Sequence, residues 1–364
     1  MNILLGLNNP AVGGARTHVL ALAEGLLRRG HRALLVTDPG FLEEEMRARG
    51  IPFRARADGD REMLDLLLSL VERECPAILH AHHGETDREG YLVWQATGLP
   101  FVVTVHGLML WHLEDRHIAE AARAVIAVSE TVAEFIHQRA PALRGKVVVI
   151  PNGIDTDEFR PRPDADALRA QAGLAPDERV VMYAGRIAAE KSPAVFAAME
   201  AVRDLAGRGV RIRGLCVGRT DAYVHQRVVD LAHETNSDAG REILRLTGLR
   251  RDMPEMLALA DVVVAAGRSA LEAMAVGKPV VAWGCAGYLG PVTPDNWSTA
   301  LAANFGDHRG GPGPSPGELA DLVDYLLADP DNRGTDLRDL VIRDCGLDRI
   351  AARHEAVYGG PTGG

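Results

Sequence analysis

A chain of 364 residues is too long for one comfortable hydrophobic core and suits two α/β domains in tandem. Its 47% hydrophobic content is ordinary for a globular protein and excludes wholesale disorder. A net charge of -10 excludes nucleic-acid binding as the main task and disfavours attachment to an anionic membrane, yet leaves room for a small phosphate-bearing ligand.

The first element is a short apolar strand, Ile3 to Leu7, closed by Asn8-Asn9-Pro10. No basic stretch precedes it, so it reads as a strand and not as a secretory leader. No apolar run approaches the roughly 18 residues needed to span a bilayer. Cys75, Cys216, Cys285 and Cys345 are widely spaced and fit reduced, incidental thiols, so the expected setting is cytoplasmic. A glycine turn then leads into a helix expected from His18 to Arg29, with Val19, Leu22, Ala23, Leu26 and Leu27 on one face, ended by Gly30. Strands follow at Ala33–Val36, Ala77–His80, Phe101–Val105, Ala124–Val128 and Val147–Ile150, with helical patterns between most of them.

Pro151-Asn152-Gly153 and the proline-rich stretch to Pro163 mark a turn and a linker, after which the pattern restarts. Strands are predicted at Val180–Tyr183, Ile212–Val217, Leu244–Leu246, Val262–Val264 and Pro279–Ala282. The glycine- and proline-rich stretch from Gly310 to Gly317 is expected to be a loop, and Gly359 to Gly364 a frayed tail. Near-continuous apolar strands alternating with amphipathic helices predict two parallel sheets covered on both faces. The predicted organisation is a first domain over residues 1–160, a second over 161–346 and a flexible end over 359–364. Ligands of such sheets bind beyond the carboxyl ends of the strands, so the expected site lies between two facing sets of strand-end loops.

Four motifs fall at such places. Gly13 and Gly14 open the first helix, where backbone amides suit an anion; a plain glycine turn fits as well. The pattern is not the GxGxxG dinucleotide fingerprint, which counts against a dehydrogenase. His106 follows the Phe101–Val105 strand, and Gly107 follows it; His80, His82 and His83 end the preceding strand. No carboxylate or cysteine spacing demands a metal among these histidines, and none is assigned. Arg186 and Lys191 flank a turn after the first strand of the second domain, before a helix beginning near Ser192. Together they suit a diphosphate leaving group, although a solvated basic turn paired with Glu190 fits equally. Finally, Gly267-Arg268-Ser269-Ala270 leads into Leu271-Glu272 and a helix closed by Gly277. Ser269 is expected to cap that helix and Glu272 to lie in its first turn, free for ribose hydroxyls or engaged in a capping box.

In order and spacing these motifs, with Ala127-Val128-Ser129-Glu130 and Pro151-Asn152-Gly153-Ile154-Asp155, resemble the family-4 retaining glycosyltransferases of the GT-B fold, from Met1 to about Tyr358. The resemblance implies two Rossmann-like domains facing across a cleft, with a C-terminal helix at about 347–358 packing back on the first. It implies a nucleotide diphosphate sugar as donor, UDP ahead of GDP and ADP, with no required cofactor and room for a stimulatory Mg²⁺. Gly13 and Gly14 would lie beside the donor phosphates or the acceptor, His106 near the transferred sugar, and Arg186 and Lys191 on the diphosphate. Glu272 would hold the ribose, while Gly218, Arg219, Leu249 and Arg250 would meet the base. The sequence departs from the family at Val264, where a first glutamate usually stands, in a loop that is shortened here. Backbone of Ala266, Gly267 and Arg268 is the expected substitute. The acceptor, a small molecule, glycan or glycolipid, would be shaped by loops at Asn8–Val12, Gly84–Arg88 and Leu108–Asp115. An epimerase or hydrolase acting on a nucleotide sugar, or a non-catalytic nucleotide-sugar-binding subunit, is the alternative.

Overall fold

The computed structural model describes residues 1–8, 13–38, 43–82, 84–328 and 335–360. His83, the loop centre at 9–12 and the last four residues of the expected tail lie outside them. The chain divides into one compact unit of Met1–Gly153 with Cys345–Gly364 and a second of Ile154–Asp344.

In the first unit the strands are β1 (Asn2–Leu7), β2 (Arg32–Thr37), β3 (Phe53–Ala55), β4 (Ile78–His82), β5 (Phe101–Val105), β6 (Ala124–Ala127) and β7 (Val147–Val149). They form one parallel sheet in the order β3-β2-β1-β4-β5-β6-β7. Its helices include α1 (Gly14–Arg28), α2 (Glu43–Ala48), α3 (Asp60–Glu74), α4 (Glu85–Thr97), α5 (Arg116–Ala121) and α6 (Glu130–Arg139). Alternate strand residues serve opposite cores. Ile3, Leu5 and Val102 pack with Leu22 and Leu26 of α1, whereas Leu4, Phe101 and Val103 pack with Met63, Leu67 and Val93 of α3 and α4. Burial on both faces is why the strands read as near-continuous apolar runs.

The second unit holds α7 (Ala165–Gln171), β8 (Arg179–Ala184), α8 (Ser192–Gly207), β9 (Ile212–Val217), α9 (Ala222–Ala239), β10 (Leu244–Gly248), α10 (Met253–Leu259), β11 (Val262–Ala265), α11 (Gly267–Ala275), β12 (Val280–Gly284), β13 (Gly287–Pro291), α12 (Trp297–Ala302), α13 (Pro316–Ala328) and α14 (Thr335–Cys345). The strand order is β10-β9-β8-β11-β12-β13. This sheet is not wholly parallel: β13 pairs antiparallel with β12, because a short turn at Cys285-Ala286 lets the chain double back without a crossover. The predicted loop at Gly310–Gly317 is also shorter than expected. Gly311 bridges to Tyr288, and α13 starts at Pro316, where a missing amide hydrogen costs nothing in a first turn.

The last helix, α15 (Leu347–Gly359), belongs to the first unit and includes Gly359, which the sequence assigned to a tail. It seats on α1 at Gly25, where an added Cβ would stand 3.1 Å from Ala351, and on Gly153, where one would stand 3.1 Å from Ile350. Arg29 and Glu355 pair at 2.6 Å, and Arg123 donates to the Tyr358 carbonyl at 2.7 Å.

Candidate functional site

Strand order fixes where each unit can hold a ligand. In an open parallel sheet, the loops leaving two neighbouring strands part in opposite directions where the order reverses, which opens a crevice at their carboxyl ends. That point lies between β1 and β4 in the first sheet and between β8 and β11 in the second.

In the second unit the motif around Arg186 leaves β8 and the motif around Glu272 leaves β11, so two segments distant in sequence emerge side by side. The loop after β8 is held by its neighbour after β9: Gly185 N donates to Val217 O at 3.0 Å and Ile187 N to Arg219 O at 2.9 Å. Gly185 and Gly218 have φ of 152° and 151°, and a side chain on Gly218 would overlap the Gly185 carbonyl. Only glycine permits that approach. The loop presents Arg186, exposed, with Nη1 donating to Asp221 Oδ2 at 2.8 Å and Nη2 to Glu190. The sequence alternative of a pairing with Glu190 is therefore present. Lys191, half-buried, places Nζ 2.7 Å from Asp307 Oδ1. Arg219 pairs with Asp221 at 3.1 Å, while Leu249 is exposed and Arg250 donates to Asp252 at 2.8 Å.

The capping expectation at Ser269 needs correction. Helix α11 begins at Gly267, and its N-cap is Ala266 with extended backbone, whose methyl side chain makes no capping hydrogen bond. Ser269 thus sits inside the first turn and Glu272 in the second. The strand simply runs to Ala265, leaving one residue before the helix. Glu272, 9% exposed, accepts from Arg268 Nε at 2.8 Å, an i,i+4 pair within α11. Ala270 is fully buried and holds the helix on the sheet.

Sequence reasoning passed over Asp307. Its Oδ2 stands 2.6 Å from where a Gly267 Cβ would be, over the amino end of α11, and Oδ1 accepts from Cys285 N at 3.3 Å as well as pairing with Lys191. The first amides of a helix lack intrahelical partners, and a carboxylate is favoured there. The turn delivering it is unusual: Asn304 and Phe305 have φ of 48° and 53°, followed by Gly306 at 92°. Left-handed backbone at two non-glycine residues costs about 1–2 kcal/mol each. Packing sustains it, with Phe305 fully buried and Gly306 seated against Gly284. No local pattern marks Asp307; its role comes from the fold.

In the first unit Gly13 is the extended N-cap of α1 and Gly14 its first residue, four positions earlier than predicted. An added Cβ at either would meet nothing within 4 Å among the described residues. His106, half-buried, follows β5 as expected. His82 is the last residue of β4, and its Nδ1 lies 3.3 Å from His106 Nε2. His18, read only as the start of a helix, turns inward from α1, with ring centroids 5.0 Å from His106 and 5.8 Å from His82. His80 is bound on both sides, to Tyr358 Oη and Thr104 Oγ1, each at 2.7 Å. Burial holds the His80 and His82 imidazoles well below the ordinary histidine pKa, and pushes His354 of α15 down to about 4. In the Leu108–Asp115 loop Met109 and Trp111 are exposed while Leu110 is buried.

A cavity of about 280 Å³ opens elsewhere on the second unit, lined by Leu174, Leu215, Thr247, Arg250 and Met256 among others. Of the predicted set only Arg250 reaches it. The candidate site is assigned to the strand-order reversal because cations, a carboxylate and open helix amides meet there.

Two Rossmann-like units in one chain, each with its chemistry at the carboxyl ends of its strands, have the architecture of GT-B enzymes. Residues 12–158 match the profile of Glycosyltransferase Family 4, and residues 178–329 that of glycosyl transferases group 1. The D-inositol 3-phosphate glycosyltransferase of Nocardia farcinica is 28% identical over 359 residues, spanning 81% of this chain and 77% of that protein. A glycosyltransferase from Rickettsia africae superposes with a TM-score of 0.78 at 17% identity, over 98% of this chain and 97% of that one. Anabaena HepE, solved in complex with UDP-glucose, gives a TM-score of 0.74 at 19% identity, over 97% and 98%. These structural likenesses establish the fold. The chain belongs to the family-4 glycosyltransferases of the GT-B type. Among its described residues no helix is long and apolar enough to cross a membrane.

Proposed function

We propose that this glycosyltransferase takes its sugar from a nucleotide diphosphate donor, UDP-linked by preference, and transfers it with retention at the anomeric carbon. The observation that carries this reading is the convergence of Arg186, Lys191 and the uncapped amino end of α11 where β8 and β11 part. Their charges are answered by Glu190, Asp221 and Asp307. A diphosphate exchanges those single carboxylate contacts for charge-assisted bonds to several oxygens, and the same groups then stabilise the extra charge as the glycosidic bond breaks. Asp307, released from Lys191, is left beside the helix end with two acceptor oxygens suited to sugar hydroxyls. It supplies a carboxylate to a site where Val264, at the position of the family's first glutamate, lies buried within β11.

Glu272 binds the ribose after parting from Arg268, and Gly218, Arg219, Leu249 and Arg250 border the base. His106 works at the transferred sugar, and Gly13 and Gly14 at the phosphates or acceptor. The leaving phosphate itself helps deprotonate the acceptor on the same face. The cations supply the neutralisation that a metal would otherwise give, so no ion is required.

Calorimetry with UDP, GDP and ADP on the full chain and on Arg186→Ala tests the clamp. Each charge-assisted hydrogen bond contributes about 1.5–3 kcal/mol, so the variant should bind the best nucleotide roughly 10- to 100-fold more weakly. Unaltered binding removes Arg186 from the role. Donor consumed without a glycosylated product would favour the hydrolase or epimerase reading, and binding with no turnover would favour the non-catalytic one.

A further inference from the structure

We propose that His18, His82 and His106 form a three-imidazole binding site for a divalent transition metal of the zinc class. One ring nitrogen from each lies within 4.8 Å of the others. The chain reaches this point from three elements, α1, the end of β4 and the residue after β5. Zinc–nitrogen bonds of about 2.0–2.1 Å set the edge of a tetrahedral site near 3.3 Å. His82 Nδ1 and His106 Nε2 already stand 3.3 Å apart. No pair needs to close by more than about 1.5 Å.

The surroundings favour a cation held among packed rings: His18 and His82 are 1% and 0% exposed. His82 Nε2 has no hydrogen-bond partner among the described residues, so that nitrogen can carry the ring's proton while Nδ1 faces His106 Nε2. His80 is excluded as a ligand because both its nitrogens are engaged, and it stacks on His82 at 3.9 Å between centroids, buttressing that ring. His106 is half-buried, which leaves a fourth position open to water or another ligand. Imidazole donors without thiolate or carboxylate suit zinc, copper, nickel and cobalt rather than magnesium or calcium. A loaded site would hold His106 away from the transferred sugar; that consequence rests on the function proposed above, whereas metal binding does not.

The test is titration of the chelator-treated full chain with Co²⁺, followed by visible absorption, and with Zn²⁺ by calorimetry. We expect the d–d bands of a four- or five-coordinate nitrogen site at one ion per chain. Loss of a supporting partner alone costs roughly 10- to 100-fold in metal affinity, so His106→Ala and His82→Ala should each lose at least that. His82→Ala risks misfolding, so His106→Ala and His18→Asn carry the test, with circular dichroism confirming the fold. His225→Ala, an exposed histidine elsewhere, should bind like the parent. Absence of the bands, binding unchanged in His106→Ala, or equal weakening in His225→Ala would each overturn the proposal.

Discussion

Acidification should destabilise the first unit through its buried imidazoles, and His354 allows the size of the effect to be worked out. Its pKa is moved from 6.5 to about 4, chiefly because burial disfavours the charged ring. The native state therefore binds fewer protons than the unfolded chain over this window. The associated stability is fully present above about pH 6.5 and is lost as the pH falls towards 4. A shift of about 2.5 units corresponds to about 3 kcal/mol, of which about 2 kcal/mol should be gone by pH 5. His80 and His82 are shifted in the same direction and steepen the loss. The carboxylate of Glu355, lowered by its hydrogen bond from Arg29, loses its contribution only below its ordinary value of 4.5, which separates the two effects. Urea unfolding followed by circular dichroism from pH 7.5 to 4.5 measures the loss. Hydrogen exchange in β4 and α15 assigns it to the first unit. His354→Leu removes the titrating ring and its unpartnered Nε2, and should flatten the curve by about 2 kcal/mol between pH 7 and 5. Superimposable curves for parent and variant would refute the reasoning.

Two further perturbations probe the second unit. Asp307→Asn removes the counter-charge on Lys191 while keeping the side chain's shape. UDP should then bind as tightly as to the parent or several-fold tighter, while turnover of the UDP-sugar falls, as product assay and calorimetry together would report. Weaker UDP binding would mean that Asp307 positions Lys191 and does not compete with phosphate. Gly218→Ala forces a methyl group into the Gly185 carbonyl at a φ of 151°, so thermal unfolding should drop by the equivalent of about 2 kcal/mol or more. An undisturbed melting temperature would show that the two loops separate at little cost.

Much of the architecture was legible locally. A parallel sheet buries both strand faces, so Phe101–Val105 and Ile212–Val217 stand out with the bounds observed, as largely apolar stretches broken by Thr104 in the first and by Arg213 and Gly214 in the second. Phe53–Ala55 did not, because an edge strand of three residues with one large apolar side chain gives no periodic signal. Strand β13 was missed because Gly287 and Gly290 weaken strand propensity, and its pairing is won from β12. At α11 the S-x-x-E spacing suggested a cap at Ser269; the cap is Ala266, three residues sooner, directly after the buried strand Val262–Ala265.

The sequence by itself determined the repeated strand–helix alternation, the restart after Pro151–Pro163, and the location of Gly13, His106, Arg186 and Gly267 just past strand ends. Those are properties of neighbouring residues, written in hydrophobic period and turn chemistry. Strand order was decided only in three dimensions, because any apolar strand can hydrogen-bond to any other and the choice is made by how helices cover the faces. That order sets β1 beside β4 and β8 beside β11. From it follow the meeting of His18, His82 and His106, and of Lys191 with Asp307 over the end of α11. A partner far away in sequence leaves no local mark, since its side chain is chosen for a neighbour that only the folded chain supplies.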